Sequence, residues 1–236
     1  MEEKNYELID NTVGMNFIYI SRVVVFILGI FILALGAATV ITANLGVATW
    51  DVLHIGLSNL NGLSVGIWVQ IVGVVMVLMT CFFEKTRPAI GSILNILLVG
   101  FFLNIILDSN LIPSFKGLTS QIILLIVGIV LMGIGSGMYV ASKVGAGPRD
   151  GMTLFISKRF SISVRLSRTL LEITALTTGW LIGGPVSVGT FISVPLIGPI
   201  MQTSLRFWTI QLNKLYSLYY YKNEPSVERY CEPYQK

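Results

Sequence analysis

The side chains that could do chemistry within or between the apolar runs of this chain are few: Asp51, His54, Arg149, Asp150, Arg168 and Glu172. The two aspartates stand in matching surroundings. Residues 43–58 read ANLGVATWDVLHIGLS and residues 142–157 read SKVGAGPRDGMTLFIS, 99 positions later, with Gly46 over Gly145, Asp51 over Asp150 and Ser58 over Ser157. Gly147-Pro148-Arg149-Asp150 is a helix start, with glycine at the cap, proline at the first position and a carboxylate at the third, beside the positive end of the helix dipole. Ala48-Thr49-Trp50-Asp51 is its weaker twin. Two readings stay open. In one the aspartates only cap short helices, a contribution of roughly 0.3–1 kcal/mol. In the other, Asn44, Gly46, Gly145 and Gly147 let the backbone unwind beside a cavity, and Asp51 and Asp150, with Trp50, His54 and Arg149 near them, gate a path or couple it to a proton or cation.

Glu172 is the one carboxylate well inside an apolar run, four residues after Arg168, so the two share a helix face and can pair. A charge at that depth is costly and turns toward the bundle interior. It is either half of a structural ion pair or a proton or substrate site. Gln70, Asn95, Asn104, Ser193 and Gln202 are amides and a hydroxyl within apolar runs; such groups most often join helices, and the match of Asn104 to Gln202 across the repeat puts those two on the candidate pathway. Trp50 and Trp180 suit packing or an interface better than a substrate cage.

Other chemistries find little footing. There is no nucleophile beside a base, no carboxylate pair in one span and no phosphate loop, so an enzyme, a nucleotide site or another cofactor is not expected. His54 is the single histidine, Cys81 lies in an apolar run and Cys231 in the polar tail, which argues for neither a metal nor a disulfide framework.

The elements that must carry these residues are membrane spans. With 54% hydrophobic and 12% charged residues and a mean hydropathy of +0.78, this is an integral membrane protein. The net charge of +4 is scattered between apolar spans and forms no nucleic-acid surface. Six runs are long enough to cross a hydrocarbon core, which takes roughly 20 residues: 23–43, 65–83, 89–107, 121–141, 166–183 and 186–212, the last interrupted by Pro195 and Pro199, which should kink it. The acidic start, MEEKNYELID, lacks the basic region of a signal peptide, so the first span is expected to be retained.

The repeat extends beyond its core. Ile27, Gly29, Ile30 and Gly36 pair with Ile126, Gly128, Ile129 and Gly135, and after a one-residue slip Gly91 pairs with Gly189 and Gly100 with Gly198. The chain therefore divides into a cytoplasmic segment (1–22), a first three-helix repeat (23–107), a connector (108–120), a second repeat (121–212) and a cytoplasmic tail (213–236), aromatic and basic before it turns polar and loose. Six spans put fifteen of the sixteen Lys and Arg residues on one side, Lys116 alone on the other, which places both termini in the cytoplasm. Three spans per copy is an odd number, so the second copy must be inverted. The expected fold is an all-α membrane protein of six transmembrane helices in two inverted three-helix repeats, each with a glycine-rich loop and a short helix after its first span.

Gly145 to Gly151 (GAGPRDG), Gly179 to Gly184 (GWLIGG), Gly189-Thr190 and Gly198-Pro199-Ile200-Met201-Gln202, with Leu45-Gly46 and Trp50-Asp51-Val52-Leu53-His54 in the first half, resemble the YczE-like bacterial membrane proteins, the group of YczE, YyaS and YitT. Members often carry Gly-Pro before the Trp-Asp pair; here Ala48-Thr49 stands there. The resemblance covers nearly the whole chain and implies a protein of the bacterial cytoplasmic membrane whose activity is poorly defined.

The function expected is a secondary transporter or permease for a small solute, with proton or cation coupling and one half rocking against the other. The alternative is a non-transporting accessory protein that binds a protein partner through its tail and its basic 142–159 stretch. The lipid bilayer is the common partner, and the glycine faces could also pair two copies.

Overall fold

The structure, a computed structural model, describes the backbone of residues 2–85, 87–145 and 147–223 and the side chains of 17–85, 87–145 and 147–217. All regular structure there is helical: α1 (Glu2–Ala43), α2 (Thr49–Asn61), α3 (Val65–Glu84), α4 (Ile90–Asp108), α5 (Leu118–Ala141), α6 (Pro148–Phe160), α7 (Val164–Leu181) and α8 (Val188–Asn223). Five segments are long and apolar enough to cross a membrane: Phe17–Ala43, Val65–Glu84, Ile90–Asp108, Leu118–Ala141 and Val188–Ser217. The sixth expected span, α7, has 18 residues but carries Arg165, Arg168 and Glu172. Side chains such as Phe82, 80% exposed, and Ile90, 77% exposed, stand on the outside, an apolar surface that suits lipid.

Some boundaries differ from those the sequence suggests. The first helix does not begin at residue 23: α1 runs unbroken from Glu2, since nothing in residues 2–22 breaks a helix apart from one glycine, Gly14. At the other end α8 passes through Pro195 and Pro199 and continues to Asn223, so the aromatic, basic part of the tail is helical, and the polar part expected to be loose lies outside the described residues. The side chains of Tyr219, Tyr220 and Tyr221, and Cys231 with the polar end of the tail, lie outside the described residues.

The helices pack in two sets. α1, α4, α5 and α8 surround the main core, where Ala34, Ala38, Val40, Leu103 and Ile129 are nearly or fully buried. α2, α3, α6 and α7 surround a second centre made by Trp50, Met76 and Ala175. Small residues set the closest approaches. A Cβ on Gly36 would lie 2.5 Å from the Met132 backbone nitrogen and 2.8 Å from the Gly128 carbonyl; one on Gly135 would lie 2.3 Å from Leu33 N and 2.6 Å from the Gly29 carbonyl. Gly29 meets Gly135 and Gly36 meets Gly128, so α1 and α5 run antiparallel, and the 99-residue shift turns either contact into the other.

The other contacts fix direction too. Gly133 lies against Ile200 and Gly137 against Ser204, so α5 and α8 run parallel. Leu53 lies against Gly179 and Gly56 against Ile182, so α2 runs parallel to α7. Thr80 contacts Met152 and Phe83 stacks on Phe155, so α3 runs parallel to α6. α3 and α4 form an antiparallel pair in which Gly66 and Gly100 touch, Asn104 Oδ1 accepts from the Gly66 backbone N–H at 2.9 Å and Gln70 Nε2 donates to the Leu97 carbonyl at 3.0 Å. Their counterparts, α7 and α8, are not packed along their lengths, and Gly198, the match of Gly100, has open space beside it.

Candidate functional site

The two short helices begin at breaks held in place from the opposite half. After α1 the chain turns through Asn44, at φ 54°, and Gly46, at φ 105°, where only glycine is at ease. The Gly189 backbone N–H, at the start of α8, donates to the Leu45 carbonyl at 2.7 Å. The equivalent break after α5 lies against Gly91 at the start of α4, so closely that a Cβ on Gly145 would sit 2.3 Å from the Gly91 carbonyl carbon. Ala48 and Gly147 are the caps, both extended, and neither uses its side chain. Proline opens α6 as its sequence suggests; α2 starts at Thr49 without one.

From these starts Trp50 and Arg149 reach each other. The Arg149 guanidinium carbon lies 4.9 Å from the Trp50 ring centroid, a cation–π contact. They are repeat equivalents, so the matched N-termini of α2 and α6 meet here. Glu172, from the middle of α7, accepts a hydrogen bond from the Thr49 hydroxyl. That corrects one expectation: no ion pair joins Arg168 to Glu172 among the described residues. The hydroxyl at the start of α2 takes the carboxylate, while Arg168 acts on Asp150.

The two aspartates are not in the same state. Asp150, at the third position of α6, lies next to its cap Gly147 and feels the charges of Arg168 and Arg149. Asp51 is 4% exposed; its Oδ2 has no hydrogen-bond partner, and its Oδ1 lies 3.6 Å from Nδ1 of His54, itself 2% exposed and unpartnered. Trp50 Nε1 is likewise buried without a partner. In the second copy Thr153 takes the place of His54 and its hydroxyl donates to the Arg149 carbonyl at 2.7 Å. Exposure is also uneven: Thr49, Trp50, Asp51 and His54 are buried, whereas Arg149 and Arg168 are exposed and Asp150 and Glu172 half-buried.

The remaining candidates separate. Asn104 spends its oxygen on the start of α3, a structural bond, and Gln202 is exposed on α8, so the two do not join the cluster. Gly46, Gly145 and Asn44 shape the breaks, and Gly147 leaves room for the Tyr139 hydroxyl, which a Cβ there would meet at 2.9 Å. Thr49 and Tyr139 were not singled out from sequence. Thr49 could have been found as the hydroxyl standing where the second copy has proline; Tyr139, one tyrosine in an apolar helix, carries no such signal. A cavity of about 280 Å³ beside the connector, with Thr42, Asn110 and Ser114 in its wall, shares no lining residue with the cluster.

Several apolar helices with lipid-facing surfaces around a few buried ionisable groups define a multi-pass integral membrane protein. Residues 20–206 match the model of a family of unknown function, DUF6198. The chain is 36% identical over 178 residues to "Uncharacterized membrane protein YczE" of Bacillus subtilis, covering 75% of this chain and 82% of that one. It is 32% identical over 171 residues to an "Uncharacterized protein" of Haemophilus influenzae, covering 72% and 77%, and 30% identical over 176 residues to "Uncharacterized protein YyaS" of Bacillus subtilis, covering 74% and 87%. The chain belongs to this YczE-like family. No solved structure matches it significantly.

Proposed function

We propose that this chain is a small-solute permease of the bacterial cytoplasmic membrane, built as two inverted three-span repeats whose short helices enter from opposite faces and meet near the midplane. The observation that carries the reading is the contact of Trp50 with Arg149, one from each copy, with Asp51, His54, Asp150, Arg168 and Glu172 grouped around it. Ionisable groups at membrane depth each cost about 2.5–3.5 kcal/mol on insertion scales, and where they are kept they mark a path. The helix directions support it: α1 against α5, α2 alongside α7 and α3 alongside α6 all fit a six-pass chain in which α7 is the sixth span. Taking Arg149 and Arg168 out of the loop count still leaves thirteen of the other fourteen basic residues on one side, which puts both termini in the cytoplasm.

The mechanism is an exchange between the halves. The first copy is sealed, with α3 latched to α4 and Asp51 buried; the second is open, with α7 apart from α8 and Arg149 and Arg168 reachable. Closing α7 on α8 while parting α3 from α4 would present the same cluster to the other side. In the accessory alternative a protein partner would meet the exposed basic residues of the same stretch, among which Arg149 lies over Trp50 and Lys158 lies 3.5 Å from Glu84.

Two measurements test this. Cysteines placed at Asn61 and Ser161, the exposed ends of α2 and α6, in a background without Cys81 and Cys231, are expected to be modified by an impermeant maleimide from opposite faces of oriented vesicles; modification from one face ends the inverted-repeat reading. Purified protein in liposomes, screened with a panel of amino acids, sugars and nucleosides against an entrapped pH dye, is expected to give solute-dependent flux. Arg149→Ala and Glu172→Gln should each lower it about tenfold or more, the scale of losing a bond to a charged group. Flux unchanged in both removes the cluster from the path; folded protein that moves no solute favours the accessory role.

A further inference from the structure

The break in symmetry between the two short helices singles out one pair. Each helix has a carboxylate at its third position, yet Asp150 is half-buried beside the charges of Arg168 and Arg149 and the Thr153 hydroxyl donates to a backbone carbonyl, while Asp51 and His54, at the matching places on α2, are buried and leave Oδ2 and Nδ1 with no partner. Both residues are more than nine-tenths buried. Nδ1 faces Oδ1 at 3.6 Å, beyond hydrogen-bond range. At that distance neither atom serves the other, and a buried polar group left without a partner is a rare and costly thing to keep.

We infer that Asp51 and His54 form a proton-binding site. A single proton added to the Nδ1 lone pair makes it a donor to Asp51 Oδ1, draws the two together and gives Nδ1 the partner it lacks; release of the proton reverses the change. The charged groups around the pair are Arg149 and Asp150 from α6, Arg149 near enough to act on the imidazole, and, from α7, Glu172 bonded to Thr49, Arg168 beside Asp150, and Arg165 at the exposed start of the helix. α3, also packed on α2, has its one carboxylate, Glu84, at the far end beside Lys158. A metal cation is a poorer occupant, because an imidazole nitrogen and one carboxylate supply too few oxygens for a hard ion. The use of this proton to drive a solute rests on the permease reading; its binding does not.

His54 is the chain's only histidine, which makes the test direct. Full-length protein carrying ¹⁵N-histidine and a histidine-free tag, in lipid nanodiscs, is titrated from about pH 5 to 9, around the range in which histidine changes charge. The imidazole nitrogen resonances are expected to move from the imidazolium to the neutral positions within it. In Asp51→Asn they should do so with at least tenfold weaker proton affinity, the effect of removing an opposite charge within 4 Å; Asp150→Asn, changing the half-buried carboxylate at the matching place on α6, should shift the affinity by much less. Resonances that stay fixed across the range, or a midpoint indifferent to Asp51→Asn, overturn the site. If Asp51→Asn does not fold, the wild-type titration decides, fixed resonances overturning the site and moving ones supporting it. Flux without titration sinks this proposal alone, whereas titration in a protein that moves no solute upholds it and sinks the permease.

Discussion

Gly36→Leu is expected to destabilise the protein by about 3 kcal/mol or more, above the usual cost of overpacking, because the obstacle is backbone and not a side chain that can swing away. A Cβ at residue 36 would already lie 2.5 Å from Met132 N, before any further leucine atom is placed. Gly128→Leu meets Val40 and the Gly36 carbonyl at the same crossing and should cost a similar amount. The double variant should cost less than the sum, since one parting of α1 from α5 relieves both clashes. Gly151→Ala is the control: nothing stands within 4 Å of its Cβ, and a helical glycine replaced by alanine changes little or gains up to about 1 kcal/mol. Unfolding by mixed SDS micelles, followed by tryptophan fluorescence, measures all four. A Gly36→Leu protein as stable as the wild type would mean that α1 and α5 do not cross there.

The glycines of that crossing stood out in the sequence as repeat matches because the constraint is on residue type, although nothing there said that α1 and α5 bring them together rather than two copies of the chain. Only glycine permits such an approach, so Gly29, Gly36, Gly128 and Gly135 show through a repeat whose other positions have drifted. The same holds for Gly46, Gly91, Gly145 and Gly189, which fix the breaks, and for the start of α6, where Gly147-Pro148 spells out a cap. What was not legible is partnership. Arg168 and Glu172 share a helix face, and nothing local says that Thr49, 123 residues away, will take the carboxylate first. Asp51 and Asp150 look alike in the alignment of the halves and differ in the fold, the first buried and the second half-buried, because burial is set by what packs on each short helix. Asn104 and Gln202 matched as letters, but one latches α3 and the other faces outward, since α3 meets α4 whereas α7 stands apart from α8.

The gap beside α8 gives the second large effect. Thr169 and Gly198 are the repeat equivalents of Gln70 and Gly100, which touch: a Cβ on Gly100 would lie 2.5 Å from Gln70 Cγ. If the halves exchange roles, Thr169 and Gly198 come together when Gln70 and Gly100 part. Thr169→Cys with Gly198→Cys, with Cys81 and Cys231 replaced by serine, is then expected to form a disulfide under mild oxidant in liposomes and to abolish flux, with recovery on reduction. The latch on the other side should control the yield. Replacing Asn104 and Gln70 by leucine removes two bonds from the α3–α4 pair, each worth about 0.6 kcal/mol between membrane helices, so together roughly 1 kcal/mol. At about 1.4 kcal/mol per factor of ten, that shifts the ratio of the two forms roughly five- to tenfold toward the one with α7 and α8 closed. The initial rate of cross-linking should rise by the same factor when oxidation is slow compared with exchange, since it then reports the population of the closed form. A disulfide that never forms, in either background, would mean that α7 and α8 do not approach. The rocking mechanism would then fall, whereas the contact of Trp50 with Arg149 would still need a function.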